Sequence, residues 1–389
     1  MFSIQTCNKI SPVGLELFDA KYYTVGDDTA NPDALLLRSH KLSADRIPNT
    51  VKAIARAGAG VNNIPIEACT ERGIVVFNTP GANANSVKEL VVAALLLSSR
   101  GIREGMNWVE SQATNSKLAE LVEKEKSTFA GREIAGKSIG IIGLGSIGVL
   151  TANAAAGLGM QVYGCDPYIS VDAAWGLSRQ VKRMDSLGQL LAQCDFISLH
   201  VPLTLETEGF INRERLGKAK KGLCLLNFAR GSLVDNTAVK QGLQDGTVSR
   251  YITDFPVPEL AGINGVMAIP HLGASTEEAE INCAVMAVRQ LKNFLESGLI
   301  VNSVNFPACT LEFSSSIRLL VANRNVPNML SQILDILAQE NLNVEEMVNK
   351  HRDGIAYNII DLSASRVSET AMAKLNAIDG VITTRQISR

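Results

Sequence analysis

The segment Ile139–Asp166, IGIIGLGSIGVLTANAAAGLGMQVYGCD, runs 27 residues without a formal charge and closes on an aspartate. An apolar run of about 20 residues is long enough to cross a bilayer as one helix. Interspersed glycines and the Asn153 amide fit poorly with one continuous helix in lipid. The pattern reads instead as an apolar strand, a glycine turn, a helix and a second strand. Gly143, Gly145 and Gly148 form G-x-G-x-x-G, and the strand Gln161–Cys165 ends at Asp166, 18 residues after Gly148. In that setting the glycines are a dinucleotide-binding fingerprint. Gly143 permits the tight turn, Gly145 leaves room for a pyrophosphate, and Gly148 lets helix and strand pack closely. The helix N-terminus offers free N–H groups and a dipole to the pyrophosphate. Asp166 accepts from ribose hydroxyls and repels a 2′-phosphate, and no arginine directly follows it. The expected cofactor is therefore NAD rather than NADP.

The 389 residues allow two or three domains at roughly 150 residues each. The chain is 46% hydrophobic and 20% charged, with a formal net charge of −2. That balance is globular and gives no reason to expect a nucleic-acid partner. The seven cysteines are scattered, with no C-x-x-C and no zinc spacing. Free thiols in a reducing cytoplasm are expected, and no metal site. The N-terminal residues lack the basic and apolar regions of a signal peptide.

Short apolar runs at Ala34–Ser39, Val51–Gly58 and Gly73–Gly81 alternate with longer helical patterns. The alternation recurs between Ser138 and Gly273, as expected of βαβ units and parallel sheets. Asp235 and Gly246 bracket one helix as N-cap and C-terminal stop. Two amphipathic helices flank the middle region. In one, Val87, Leu90, Val91, Ala94 and Leu95 share a face. The other follows Ser275 and Glu278, which have capping-box spacing, and repeats Ile281, Val285, Val288, Leu291 and Leu295 at helical spacing. Beyond the linker Asn302–Ser316, about 70 residues follow a βαββαβ order.

There are four histidines, His40, His200, His271 and His351, and His271 sits just past a strand end in AIPHLGAS. Arg230 in LLNFARGSLVD and Glu259 in ITDFPVPEL also follow strands. In a parallel sheet those loops carry the chemistry.

IGIIGLGSIG, LHVPLT, LLNFARGSLVD, TDFPVPEL with Glu259 29 residues after Arg230, and PHLGAS together resemble the D-isomer-specific 2-hydroxy acid dehydrogenases. RAGAGVNNI and NTPGANANSVKELV place the resemblance nearest to members that act on 3-phosphoglycerate, and the tail resembles a regulatory ACT module. The resemblance implies two Rossmann-like, doubly wound α/β domains followed by a small α+β domain. It sets a discontinuous substrate-binding domain at 1–97 and 285–308, an NAD domain at 98–284 and an ACT domain at 315–389.

It also implies roles. Arg230 holds the substrate carboxylate, His271 is the general acid/base, and Glu259 orients and charges the imidazole. Gly143, Gly145, Ser146, Ile147, Gly148, Asp166, Pro202, Phe228, Ala229, Arg230, Asp254, His271, Gly273 and Ala274 line the cofactor, with Asp254 on the nicotinamide side. His200 in LHVPLT lies near the cofactor in the family, but it reads as structural here. Arg38, Ser39, Arg56 and Gly58 join Arg230 around the substrate, the two arginines as phosphate clamps. Asn62 stands where the family has Asp, and Lys88 where it has Ala. Asn325 and Asn343 match serine-effector positions. Asn323 replaces a histidine there, and Asn328 replaces a turn glycine. The implied reaction oxidises 3-phospho-D-glycerate to 3-phosphohydroxypyruvate, the first step of L-serine synthesis, in a homodimer or homotetramer. The same chemistry on glycerate or lactate, or a non-catalytic NAD sensor, uses the same motifs. No membrane association is expected.

Overall fold

A computed structural model of the protein describes residues 1–313 and 315–388. It divides into two compact units, Met1–Ala82 with Glu280–Arg389, and Asn83–Ala279. The family resemblance implies boundaries at 97/98 and 284/285 instead. The helix Ala84–Ser99 makes the difference. Its Val87, Val91, Ala94 and Leu95 are buried with Ile139, Ile141, Leu226 and Ile252, so it belongs to the second unit's core.

The first unit holds a five-stranded parallel sheet. Its strands are β1 (Phe2–Thr6), β2 (Tyr23–Gly26), β3 (Ala34–Leu37), β4 (Ala53–Arg56) and β5 (Val75–Phe77), in the order β2-β1-β3-β4-β5. Strands β3 and β5 are buried along their whole length, which is why they read as uninterrupted apolar runs. The helix Glu277–Ser297 covers one face with Cys283, Ala287, Val288, Leu291 and Leu295 against Ile4, Leu36, Ala55 and Phe77. Its start is one residue later than the capping-box spacing implies. Thr276, not Ser275, caps it, its Oγ1 accepting the Ala279 N–H at 3.1 Å.

The second unit holds a seven-stranded parallel sheet. Its strands are β6 (Ser138–Ile142), β7 (Gln161–Cys165), β8 (Lys182–Arg183), β9 (Phe196–Leu199), β10 (Leu223–Asn227), β11 (Val248–Thr253) and β12 (Val266–Ala268). The order β12-β11-β10-β9-β6-β7-β8 reverses direction between β6 and β9. That reversal is the switch point at which doubly wound folds bind dinucleotides. The helix Asn236–Asp245 is punctuated as its sequence implies. Asp235 accepts from the Thr237 and Ala238 N–H groups, and Gly246 turns left-handed at φ 76°.

The tail forms an antiparallel sheet of β13 (Ile317–Arg324), β14 (Val344–Arg352), β15 (Ile355–Leu362) and β16 (Val381–Ser388), ordered β14-β15-β13-β16. Leu319, Val321, Ile360 and Leu362 face the helices Met329–Gln339 and Glu369–Asn376 through Ile333, Leu337 and Leu375. On the other face Leu320, Ala322, Tyr357 and Ile359 join the core of the first unit. Both faces of β13 are therefore covered.

One charged pair lies inside this packing. Arg318 and Asp361 are both fully buried and pair bidentately, Nε to Oδ1 at 2.7 Å and Nη2 to Oδ2 at 2.8 Å. Arg318 also donates to the carbonyls of Ser297, Leu311 and Glu312. Removing one partner strands a buried charge, which costs about 3–5 kcal/mol. Asp361→Ala should lower unfolding stability by about that amount. A denaturant midpoint equal to that of the wild type would show that the pair is dispensable.

Candidate active site

The site begins at the turn between β6 and the helix Ser146–Gly157. Gly143 has φ +90°, and a Cβ there would lie 2.7 Å from the His200 carbonyl carbon and oxygen. A Cβ on Gly148 would lie 2.0 Å from the Gly143 oxygen. Around Gly145 no heavy atom stands within 4 Å of where a Cβ would point. Gly143 and Gly148 permit close contact, and Gly145 leaves open space at the start of the helix. The N–H groups of that first turn have no partner in their own helix and make an anion cradle with its exposed Ser146 and half-buried Ile147. Asp166 ties the turn to the end of β7, its Oδ2 accepting from Leu144 N at 2.7 Å and its Oδ1 from Tyr168 N at 2.8 Å. A carboxylate has about four acceptor positions, so ribose hydroxyls can still be met.

Beyond β11, Asp254 is 1% exposed. Its Oδ2 accepts the Gly273 N–H at 3.2 Å, while its buried Oδ1 has no hydrogen-bond partner. Burial pushes the Asp254 carboxyl above its usual range, and the charges of His271 and Arg230 pull it back. Asp254 thus lies within electrostatic reach of both. An unpaired buried acceptor needs a donor. The carboxamide NH2 of a nicotinamide supplies one, so the residues fit NAD.

Arg230 follows β10 on a loop pinned by Asn227. The buried Asn227 accepts from Ala229 N at 3.2 Å and donates to the Arg230 carbonyl at 2.9 Å. Phe228 is buried beside it, and the exposed Arg230 donates through Nη1 to the Ala229 carbonyl at 2.6 Å. The exposed His271 ring packs 4.7 Å from the ring of Phe255, whose Cβ approaches Gly231 in the Arg230 loop. Ser86 donates to the Gly273 carbonyl at 2.9 Å and so anchors the loop that carries His271 and the half-buried Ala274. Sequence alone does not single out Asn227, Phe255 or Ser86. Only Asn227 carries a signal there, an amide closing an otherwise apolar strand. Arg230, Asp254 and His271 come together. Glu259 is exposed, and among the described residues it forms no ion pair with His271.

His200 lies at the end of β9, with its Nε2 2.9 Å from Ser198 Oγ, and burial lowers its pKa to about 4. Pro202 is exposed, and its carbonyl accepts from Thr207 Oγ1 at 2.7 Å.

Within the first unit, Arg38 and Arg56 leave the carboxyl ends of the paired strands β3 and β4. Arg38 Nη1 pairs with Glu280 Oε1 at 2.5 Å. Arg56 Nε donates to the Arg38 carbonyl at 2.9 Å, and its Nη1 donates to the Gly60 carbonyl. A Cβ on Gly58 would lie 2.9 Å from Arg56 Nη1, so this glycine makes room for the guanidinium. Ser39 and Asn62 are exposed. In the second unit Lys88 lies 3.5 Å from Glu89.

In the tail, Asn323 is buried. It donates to the Arg324 carbonyl at 2.6 Å and accepts from Asn358 Nδ2 at 2.8 Å. Asn325 and Asn343 are exposed. Asn325 pairs with Gly354 beyond one end of the sheet, and Asn343 with Ser363 beyond the other. One chain does not bring them together. Asn328 adopts the left-handed conformation, φ 70°, that glycine would otherwise supply at this turn.

Residues 92–273 match the family described as "D-isomer specific 2-hydroxyacid dehydrogenase, NAD binding domain". The D-3-phosphoglycerate dehydrogenase of Haemophilus influenzae is 35% identical over 364 residues, covering 90% of this chain and 84% of that protein. The D-3-phosphoglycerate dehydrogenase of Methanocaldococcus jannaschii is 36% identical over 314 residues, but the match spans only 57% of its length against 78% of this chain. The NAD+-bound 3-phosphoglycerate dehydrogenase of Entamoeba histolytica superimposes with a TM-score of 0.62 at 26% identity, covering 78% of this chain and 98% of that one. The chain belongs to the D-isomer-specific 2-hydroxyacid dehydrogenases, and its cofactor is NAD. Among the described residues no helix is long and apolar enough to cross a membrane.

His200 makes stability depend on pH. Its folded pKa of about 4 lies below the ordinary 6.5. Above pH 6.5 it is neutral folded or unfolded and its contribution is complete. As pH falls from 6.5 towards 4 the unfolded chain takes up a proton that the folded one refuses, so stability is lost. Urea midpoints at pH 7 and pH 4.5 should differ less in His200→Gln than in the wild type. An unchanged difference would remove His200 from the acid response.

Proposed function

We propose that the chain oxidises 3-phospho-D-glycerate to 3-phosphohydroxypyruvate with NAD, the first step of L-serine synthesis. The observation that carries the substrate is the 35% identity to the Haemophilus influenzae D-3-phosphoglycerate dehydrogenase across 84% of that protein. The reaction class is supported by Arg230, Asp254 and His271 meeting around one unpaired acceptor.

In this reading Arg230 binds the substrate carboxylate bidentately and orients C2. His271 Nε2 or Nδ1 accepts the C2 hydroxyl proton and returns it in the reverse direction. Glu259 supports the charged imidazole once the site is assembled, and Asp254 Oδ1 receives the carboxamide. NAD, when bound, supplies the hydride acceptor. Gly143, Gly145, Ser146, Ile147 and Gly148 hold the pyrophosphate, Asp166 the ribose, and Pro202, Phe228, Ala229, Gly273 and Ala274 the remaining surface. Arg38, Ser39, Arg56 and Gly58 receive the substrate phosphate. The first unit's sheet then serves substrate, the second NAD, and the tail regulation. A serine effector held by Asn325 and Asn343, with Asn323 nearby, calls for two tails and hence a homodimer or homotetramer. The cysteines among the described residues are all free, in keeping with a cytoplasmic enzyme.

A second reading, an unphosphorylated acid such as glycerate, is favoured by one observation. Arg38 already holds the Glu280 carboxylate. Charged hydrogen bonds contribute about 1.5–3 kcal/mol each. The phosphate reading therefore expects kcat/KM for 3-phosphoglycerate to exceed that for glycerate by about 10²-fold or more. Equal values, read from NADH absorbance, would favour the second reading. His271→Ala should lower kcat by about 10²-fold or more. Near-wild-type turnover would exclude His271 as the general base.

A further inference from the structure

A cavity of about 380 Å³ lies within the first unit, between the tail sheet and the amino ends of β3, β4 and β5. Asp33 precedes β3, Lys52 precedes β4 and Arg72 comes shortly before β5, while Thr383, Thr384 and Arg385 come from β16. Arg38 and Arg56 leave the opposite, carboxyl ends of β3 and β4. The cavity is therefore separate from the proposed substrate contacts.

Its charges do not balance. Lys52, Arg72 and Arg385 face one carboxylate, Asp33. That carboxylate is already committed, pairing with Lys52 and accepting the Ser3 N–H at 2.8 Å. Both guanidinium groups are held by neutral acceptors. Arg385 donates to the Phe294 carbonyl at 2.5 Å and the Leu295 carbonyl at 3.3 Å, and lies over the Phe294 ring at 4.5 Å. Arg72 donates to the Ile47 and Pro48 carbonyls at 2.9 Å and to Asn49 Oδ1 at 3.2 Å. Such acceptors orient a guanidinium without cancelling its charge. Burial holds the Arg385 pKa below its ordinary value, more than the nearby Tyr357 and Asp33 restore. Phe294, Phe306, Leu320 and Tyr357 supply an apolar wall, against which ionic attraction is stronger than in water. The volume is in the range of small-molecule pockets, about 300–1,000 Å³.

We propose that this cavity is a binding site for a small anion bearing phosphate or carboxylate groups, held by Lys52, Arg72 and Arg385 and bridging the tail to the sheet of the first unit. The proposal is independent of which 2-hydroxy acid the enzyme oxidises.

The test is calorimetric titration of the full chain with inorganic phosphate and with citrate, at constant ionic strength. Lys52→Gln should weaken binding of the preferred probe about tenfold or more, the loss expected for one charge-assisted contact. Thr384→Glu places a carboxylate in the cavity and should weaken it by at least as much. If Lys52→Gln unfolds because Asp33 loses its partner, Thr384→Glu alone decides. Saturation by phosphate identifies a phosphate ligand, and saturation by citrate alone a carboxylate one. Absence of saturable binding by either probe, or equal affinity in Thr384→Glu, would overturn the site.

Discussion

The second unit depends on how closely two backbone segments meet at the glycine turn. The space between Gly148 and the Gly143 carbonyl is too small for any side chain, since a Cβ would come within 2.0 Å. Because the contact is made, the helix Ser146–Gly157 starts directly on the end of β6, and the small residues Ala152 and Ala155 pack into the sheet. The same turn places the Leu144 N–H against Asp166 and the Gly143 backbone against His200. Glycine turn, Asp166 carboxylate and switch point are thus one mechanical piece. A bulkier residue at Gly143 or Gly148 would disturb all three together.

In the first unit the corresponding constraint is the C-terminal end of the helix Glu277–Ser297, whose last turn has no basic residue of its own. The tail supplies what is missing. Arg385 donates to the carbonyls of Phe294 and Leu295, Arg318 to that of Ser297, and the Tyr357 hydroxyl to that of Gly298. Two cations at the negative end of a helix satisfy both its unpaired carbonyls and its dipole. Arg318 can be buried there because Asp361 accompanies it. These contacts, with the second buried face of β13, give a physical reason why the tail packs as part of the first unit.

Features written in consecutive residues were legible in the sequence. The glycine turn, the Asp235 and Gly246 helix boundaries, and strands buried on both faces such as Leu223–Asn227 all announce themselves locally. Strand β1 did not. Only Ile4 is buried among five residues, although the strand lies inside its sheet. The helix cap lies one residue beyond the capping-box spacing, because the Thr276 hydroxyl rather than that of Ser275 meets the Ala279 N–H. The pairings that shape the site were hidden for a different reason. Ser86 with Gly273 and Asn358 with Asn323 join residues far apart in the chain. Each is an ordinary polar residue until the fold brings its partner near. The amide chain through Asn349, Asn358 and Asn323 also changes the reading of the tail, because Asn323 has its side chain engaged inside the sheet.

The occupied state of Arg38 bears on how a phosphate could be held. Its ion pair with Glu280 is 34% exposed on one side and 47% on the other. Pairs this open to water contribute about 0–1 kcal/mol and are screened by salt. A dianion carries twice the charge of the carboxylate it would displace, and a guanidinium can meet it bidentately. Releasing Glu280 therefore costs little beside the attraction of the dianion that replaces it. The Glu280 side chain then has water to turn into, since it is already half exposed. Arg56 differs, because its donors serve the Arg38 and Gly60 carbonyls and so hold the two loops together. Arg38 thus holds a weakly kept partner, while Arg56 Nε and Nη1 tie together the loops that carry both arginines.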